Sequence, residues 1–214
     1  MRRPAIFLDR DGVINENLPG HVCRWEDFRF LPGTFDALRE LGTSVPIVII
    51  TNQGAIGRQL VSQDTVELIH RRMVAQIRAE GGDIAGIIYC PHPPEARCRC
   101  RKPSPGMLLA AAARFNLDLR RSVFVGDALT DVEAGYRAGC RTILVRTGRG
   151  EAAVRELASV QHPRPAAIVD DLRAAVPAVS HLFARRAARL AQRPTIAPPL
   201  RAEGEPATAL GAAS

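Results

Sequence analysis

A set of short apolar runs, each stopping at a polar or reactive side chain, constrains this chain more than any other feature. Ala5-Ile6-Phe7-Leu8 stops at Asp9, Pro46 to Ile50 at Thr51, and Ile84 to Tyr89 at Cys90. Ser122 to Val125 stops at Gly126-Asp127, Thr142 to Val145 at Arg146, and a sixth run, Ala166 to Val169, at Asp170. Runs this short and this rich in branched side chains predict strands covered on both faces. Helical patterns lie between them. Val66, Ile69, Met73 and Ile77 recur at helical steps behind a cap at Ser62 or Asp64. Pro105 sits in the first turn of a helix that runs through Met107-Leu108-Leu109 to Phe115, and Thr130 to Gly139 fits another that closes on its glycine. The alternation predicts an α/β fold built on a doubly wound, mainly parallel sheet. Ligands of such sheets bind beyond the carboxyl ends of the strands, where Asp9, Thr51 and Asp127 fall.

With 214 residues the chain is sized for one core. Residues 1–184 are read as that domain. Residues 185–214, rich in Ala, Pro and Arg, are read as a fraying helix followed by a disordered tail. The longest apolar runs are too short to span a bilayer, and the opening residues lack the apolar stretch and cleavage site of a signal peptide. A cytoplasmic monomer is therefore expected, with no membrane partner. The net charge of +7 favours anions. With only 5% aromatic residues and no groove-binding motif, the anion expected is a small phosphorylated molecule rather than nucleic acid.

Phosphoryl transfer needs a nucleophile, cations that neutralise the phosphate, and a proton donor for the leaving oxygen. Asp9-Arg10-Asp11-Gly12 offers two carboxylates at one strand end. Asp9 is the candidate nucleophile and Asp11 the candidate acid and base. Thr51-Asn52-Gln53 can donate hydrogen bonds to phosphate oxygens; the same residues would also serve as a turn. Lys102 is the only lysine in a chain that otherwise uses arginine, which points to a site needing a compact ammonium rather than a planar fork. Asp127 could complete a magnesium site with Asp9. Asp131 would orient Lys102, stand behind the metal ligands, or simply charge a helix N-terminus.

Cys90-Pro91-His92 and Cys98-Arg99-Cys100 form a C-x-H-x5-C-x-C cluster. Three thiolates and an imidazole suit a closed, structural zinc site, a small loop beside the sheet. Cys23 and Cys140 read as ordinary thiols, and His21, His70, His162 and His181 show no such clustering.

Taken in order, Phe7-Leu8-Asp9-Arg10-Asp11-Gly12, Thr51-Asn52-Gln53, Lys102, and Gly126-Asp127 through Asp131 resemble the four motifs of haloacid-dehalogenase superfamily phosphatases. The resemblance implies a Rossmann-like domain, catalytic Asp9, Asp11, Thr51 and Lys102, and Mg2+ held by Asp9, Asp11 and Asp127. The cysteine cluster running into Arg101-Lys102-Pro103 is similar to the zinc-containing branch of heptose-bisphosphate and histidinol-phosphate phosphatases. Gly20-His21-Val22 through Phe28-Arg29-Phe30-Leu31-Pro32-Gly33 most resembles the heptose members. That branch implies removal of the 7-phosphate from D-glycero-D-manno-heptose 1,7-bisphosphate, in nucleotide-activated heptose biosynthesis. Asn52, Gly20, His21 and Val22 would meet the substrate, with Arg101 and Arg58 as cationic contacts for the phosphate that stays. Histidinol phosphate is the alternative substrate, its amine met by a carboxylate such as Glu16. A non-catalytic zinc-stabilised sugar-phosphate binder is the alternative of another class. Gly54, Ala55 and Gln59 depart from the N-Q-S-G-I-x-R-G usual in heptose enzymes, which bears on loop shape and substrate contacts.

Overall fold

A computed structural model describes residues 2–43, 45–159 and 161–191. Six strands form one parallel sheet: β1 (Ile6–Leu8), β2 (Ile47–Asn52), β3 (Gly86–Cys90), β4 (Val123–Gly126), β5 (Arg141–Val145) and β6 (Ala167–Val169). Their order is β3-β2-β1-β4-β5-β6, the Rossmann arrangement in which the winding reverses beside β1. Every apolar run expected to be a strand is one. The central strands are buried on both faces, while the edge strands β3 and β6 are half-exposed along most of their length.

The period-two alternation of strand side chains divides the core into layers. Ile6, Leu8, Ile47, Ile49, Val123 and Val125 face α1 (Thr34–Gly42), α2 (Gln63–Ala79) and α6 (Leu172–Ala191). Phe7, Val48, Ile50 and Phe124 face the other way, onto α3 (Gly106–Phe115) and α4 (Leu129–Ala138). Leu144 joins Leu129 and Val132 of α4 to Ala153 and Leu157 of α5 (Gly150–Leu157). Burial on both faces makes the strands rigid, so what their carboxyl ends carry is fixed in place.

Ser62 caps α2, its hydroxyl accepting the Thr65 N–H at 3.1 Å. Pro105, expected inside the first turn of α3, instead stands at its N-cap; Pro105 closes the loop that brings Lys102 to the sheet. Gly139 ends α4 in the left-handed conformation. Helix α6 runs past position 185 to Ala191, and the rest of the expected tail lies outside the described residues. No helix among the described residues is long and apolar enough to cross a membrane.

Candidate active site

The site lies where β1 and β4 end side by side. Asp9 follows Leu8, and Asp127 follows Gly126. Lys102 arrives from the loop after the cysteine cluster and is 4% exposed. Its ammonium stands 2.8 Å from Asp9 Oδ1 and 2.7 Å from Asp131 Oδ1, and donates to the Ile50 carbonyl at 3.0 Å. Two carboxylates and a carbonyl surround the ammonium. Burial works against this charge, but Asp131 and Asp9 outweigh it and raise the Lys102 pKa, so it stays a cation. Asp131 reaches it from the first turn of α4 and accepts the Ala128 N–H at 3.0 Å through its other oxygen.

Asp9, Asp127 and Asp131 each bring a carboxylate oxygen to within 4.8 Å of the others. Three carboxylates against one ammonium leave an excess of negative charge in a buried place. Burial raises the Asp9 pKa to about 6, with Asp131 adding to the shift and Lys102 opposing it. Burial and repulsion from Asp9 and Asp131 raise Asp127 to about 8. A divalent cation is the charge this donor set lacks, and oxygen-only ligands suit Mg2+. Asp127 is seated by the Arg149 N–H at 2.8 Å and lies against Gly12. That glycine has φ +89, and a Cβ there would collide with the Asp127 carboxylate; no other residue type fits both demands.

Asp11, expected among the metal ligands, is not part of this three-carboxylate group. Its oxygens are taken up instead by Arg10 Nη2 (2.7 and 2.9 Å), Arg10 Nε (3.2 Å), Asn15 Nδ2 (2.9 Å) and Gln53 Nε2 (2.9 Å). Burial would raise its pKa, but the Arg10 charge and these hydrogen bonds bring it below the ordinary value. Gln53 also donates to Thr51 Oγ1 at 3.0 Å. With its oxygen accepting from Gln53, the Thr51 hydroxyl is left to donate into the cleft.

The cleft has a volume of about 600 Å³ including its mouth, and Asp9, Asp11, Thr51, Asn52, Lys102 and Asp127 all reach its wall. Of the expected substrate contacts, His21 and Arg101 also line it. Asn52 does so with its amide engaged, accepting from Lys102 N at 3.1 Å and donating to Lys102 O at 3.3 Å; it positions the lysine loop. Val22 does not line the cleft. Its side chain is 2% exposed and packs in the core below β1. Gly20 is exposed and off the cleft wall. Arg58 turns to Glu95 at 3.4 Å, outside the cleft, and Glu16 is likewise exposed away from it. Asn17, Leu18, Thr130 and Arg149 line the wall without having been singled out in the sequence. Arg10 and His70 were missed as well.

Beside the cleft, Cys90, His92, Cys98 and Cys100 converge. Their sulfurs are 3.2, 3.3 and 3.5 Å apart, and His92 Nδ1 lies 3.3 Å from Cys100 Sγ and 3.6 Å from Cys90 Sγ. Thiolates sharing a tetrahedral ion at ~2.3 Å would stand about 3.8 Å apart. Four soft donors pinched toward one point fit a metal ion with no open position. Arg101 Nη1 donates to the His92 carbonyl at 3.0 Å, tying this loop to the cleft wall.

Residues 99–175 match the HAD-hydrolase-like family model. The chain is 38% identical over 170 residues to the D-glycero-beta-D-manno-heptose-1,7-bisphosphate 7-phosphatase of Pseudomonas putida, covering 79% of this chain and 95% of that protein. It belongs to the heptose-bisphosphate phosphatase family. The Escherichia coli K12 protein of the same name is 41% identical over 155 residues, covering 68% of this chain and 81% of its own length. The crystal structure of the Bordetella bronchiseptica D,D-heptose 1,7-bisphosphate phosphatase with magnesium and phosphate superposes with a TM-score of 0.77. It is 35% identical and spans 83% of this chain and 98% of its own.

Within this family the departures at Gly54 and Gln59 acquire a local account. A Cβ at position 54 would stand 3.0 Å from Arg101 Nη1, so the glycine leaves room for that guanidinium at the cleft wall. Gln59 sits at φ 58, in the left-handed region that glycine, the residue the resemblance leads one to expect there, adopts without strain.

Proposed function

We propose that the chain is a Mg2+-dependent phosphatase that removes the 7-phosphate of D-glycero-D-manno-heptose 1,7-bisphosphate in heptose biosynthesis, acting in the cytoplasm. The observation that carries this reading is the buried Asp9–Lys102–Asp131 chain beside Asp127, in a family whose relatives bear that activity in their names.

Asp9 Oδ1 is held by Lys102 and by the Arg10 N–H at 2.7 Å, which leaves Oδ2 to attack phosphorus. Asp11 is a carboxylate in the free site, so it takes a proton from the incoming phosphate monoanion, whose second pKa is about 6. It passes this proton to the departing alkoxide as the P–O bond to the sugar breaks and an aspartyl-phosphate forms on Asp9. Asp11, again a carboxylate, takes a proton from the water that attacks this intermediate; the new P–O bond forms and the bonding pair returns to Asp9. Thr51 and Lys102 donate to the equatorial oxygens, and donors already in place cost no reorganisation. Mg2+ bound by Asp9 and Asp127 supplies the positive charge that balances the transferring phosphoryl group. Asp131 serves Lys102. Zn2+ bound by Cys90, His92, Cys98 and Cys100 holds the loop that delivers Arg101 and Lys102 and takes no part in the chemistry.

The phosphate that stays is read by Arg101 and Arg149 on the wall and by Arg97, which lines the adjoining groove with them. Arg58 is withdrawn from this role by its pairing with Glu95. These cations favour a bisphosphate over histidinol phosphate, whose amine would need the carboxylate that Glu16 does not bring to the cleft. Phosphate release with Mg2+ from both anomers of heptose 1,7-bisphosphate and from histidinol phosphate tests the reading. Strong preference for a heptose anomer is expected. Preference for histidinol phosphate would overturn the substrate, and inactivity on all three would overturn the enzyme.

A further inference from the structure

Arg10 is the largest fully buried side chain among the described residues. A guanidinium is placed there at high cost unless every donor is met. Nε and Nη2 go to Asp11, and Nη1 lies 3.0 Å from His70 Nε2. A guanidinium can only donate, so the imidazole accepts and His70 is neutral with its proton on Nδ1. His70 is itself 5% exposed, fixed on the inner stripe of α2 with Ile69 and Met73 and edge-on to Tyr89. Phe28 lies 5.9 Å below the guanidinium. The bidentate fork therefore cannot drift, and Asp11 cannot turn freely; Asn15 and Gln53 each add one donor, to Oδ1 and Oδ2 respectively. Nothing in the proposed chemistry uses the Arg10 guanidinium or His70 directly.

We infer that Arg10 and His70 are positioning residues that hold Asp11 as the base of the second chemical step, hydrolysis of the aspartyl-phosphate; this rests on the phosphatase reading above. In that step the attacking water forms a bond to phosphorus, its proton passes to the Asp11 carboxylate, and the bond to Asp9 breaks with its electron pair returning to Asp9. The fork fixes the Asp11 oxygens at the wall of the cleft that Asp9 also lines. Losing the acceptor at position 70 strands Nη1 in the core and releases the fork.

The test is rapid acid quench of the full chain with Mg2+ turning over heptose 1,7-bisphosphate, with the phosphorylated fraction read by intact mass. In His70→Leu, turnover should fall on the order of ten- to hundred-fold while the phosphorylated fraction rises well above that of the unaltered chain. His70→Gln, whose amide oxygen can accept from Nη1, should restore both. Arg10→Lys, which keeps the charge but loses the fork, should resemble His70→Leu and decides the matter if that variant does not fold. Reduced turnover without accumulation of phosphoprotein, or unchanged turnover in a folded variant, would overturn the inference. Inactivity of the unaltered chain would overturn the phosphatase reading itself, a result separable from either.

Discussion

At Lys102 one ammonium pairs with Asp9 at 2.8 Å and Asp131 at 2.7 Å and donates to the Ile50 carbonyl at 3.0 Å. A planar guanidinium carries its donors in one plane on a longer stem and cannot reproduce this arrangement. Lys102→Arg should therefore lower turnover by ~10²–10³-fold, and near-normal turnover would show that charge alone suffices. The carboxylates around it set a pH dependence. Asp9 and Asp127 titrate near about 6 and about 8 when folded, against 3.8 as the ordinary value. Without metal the folded chain holds protons that the unfolded chain has released, so its stability falls as pH rises from about 4 toward 8. Mg2+ takes the ionised forms, and the gain in Tm on adding Mg2+ should be larger at pH 8 than at pH 5. Equal gains would contradict a metal held by these groups. Lys102, Asp9 and Asp127 were legible because each interrupts a pattern: a lone lysine, or an acid at the end of an apolar run. Arg10 was not, since a charged residue between two acids reads as solvated surface and only distant partners bury it. His70 did leave a signal, for the stripe of Val66, Ile69, Met73 and Ile77 places it on the covered face of α2.

Among the elements, the loop from Cys90 to Pro103 links the end of β3 to the phosphate cleft. The cysteine spacing was readable because four soft ligands so close together serve little else. What the spacing could not convey was the attachment of this loop to the cleft through Asn52, whose amide clasps the Lys102 backbone, and through Arg101. Loss of the proposed zinc should thus act first on stability. Cys98→Ser, or chelation with verified zinc removal, should lower Tm by roughly 10 °C or more and reduce turnover only as far as Arg101 and Lys102 lose their places. An unchanged Tm would contradict a structural zinc site. The segment after β1 shows the opposite case. Gly20-His21-Val22 was expected as one substrate loop, but the three residues part: His21 reaches the cleft, Val22 enters the core and Gly20 faces solvent. A motif fixes the path of the backbone, while which side chain turns inward depends on the layer beneath it.

Over the whole molecule, the parallel sheet was readable from six apolar runs because burial on both faces removes the polar alternation that would otherwise blur a strand. Helices α1 and α5 were not singled out, being segments of nine and eight residues that give a helical period few repeats to show. The winding order sets β1 beside β4, and so brings together acids more than a hundred positions apart. That juxtaposition makes Asp9 the nucleophile in this account, with Lys102 and Asp127 arranged around it. The most direct test compares phosphate release from heptose 1,7-bisphosphate with Mg2+ by the unaltered chain and by Asp9→Asn, after melting curves show both folded. Turnover should fall by ~10³-fold or more in Asp9→Asn, with no phosphoprotein formed. Substantial residual turnover, or phosphorylation elsewhere on the chain, would contradict the account.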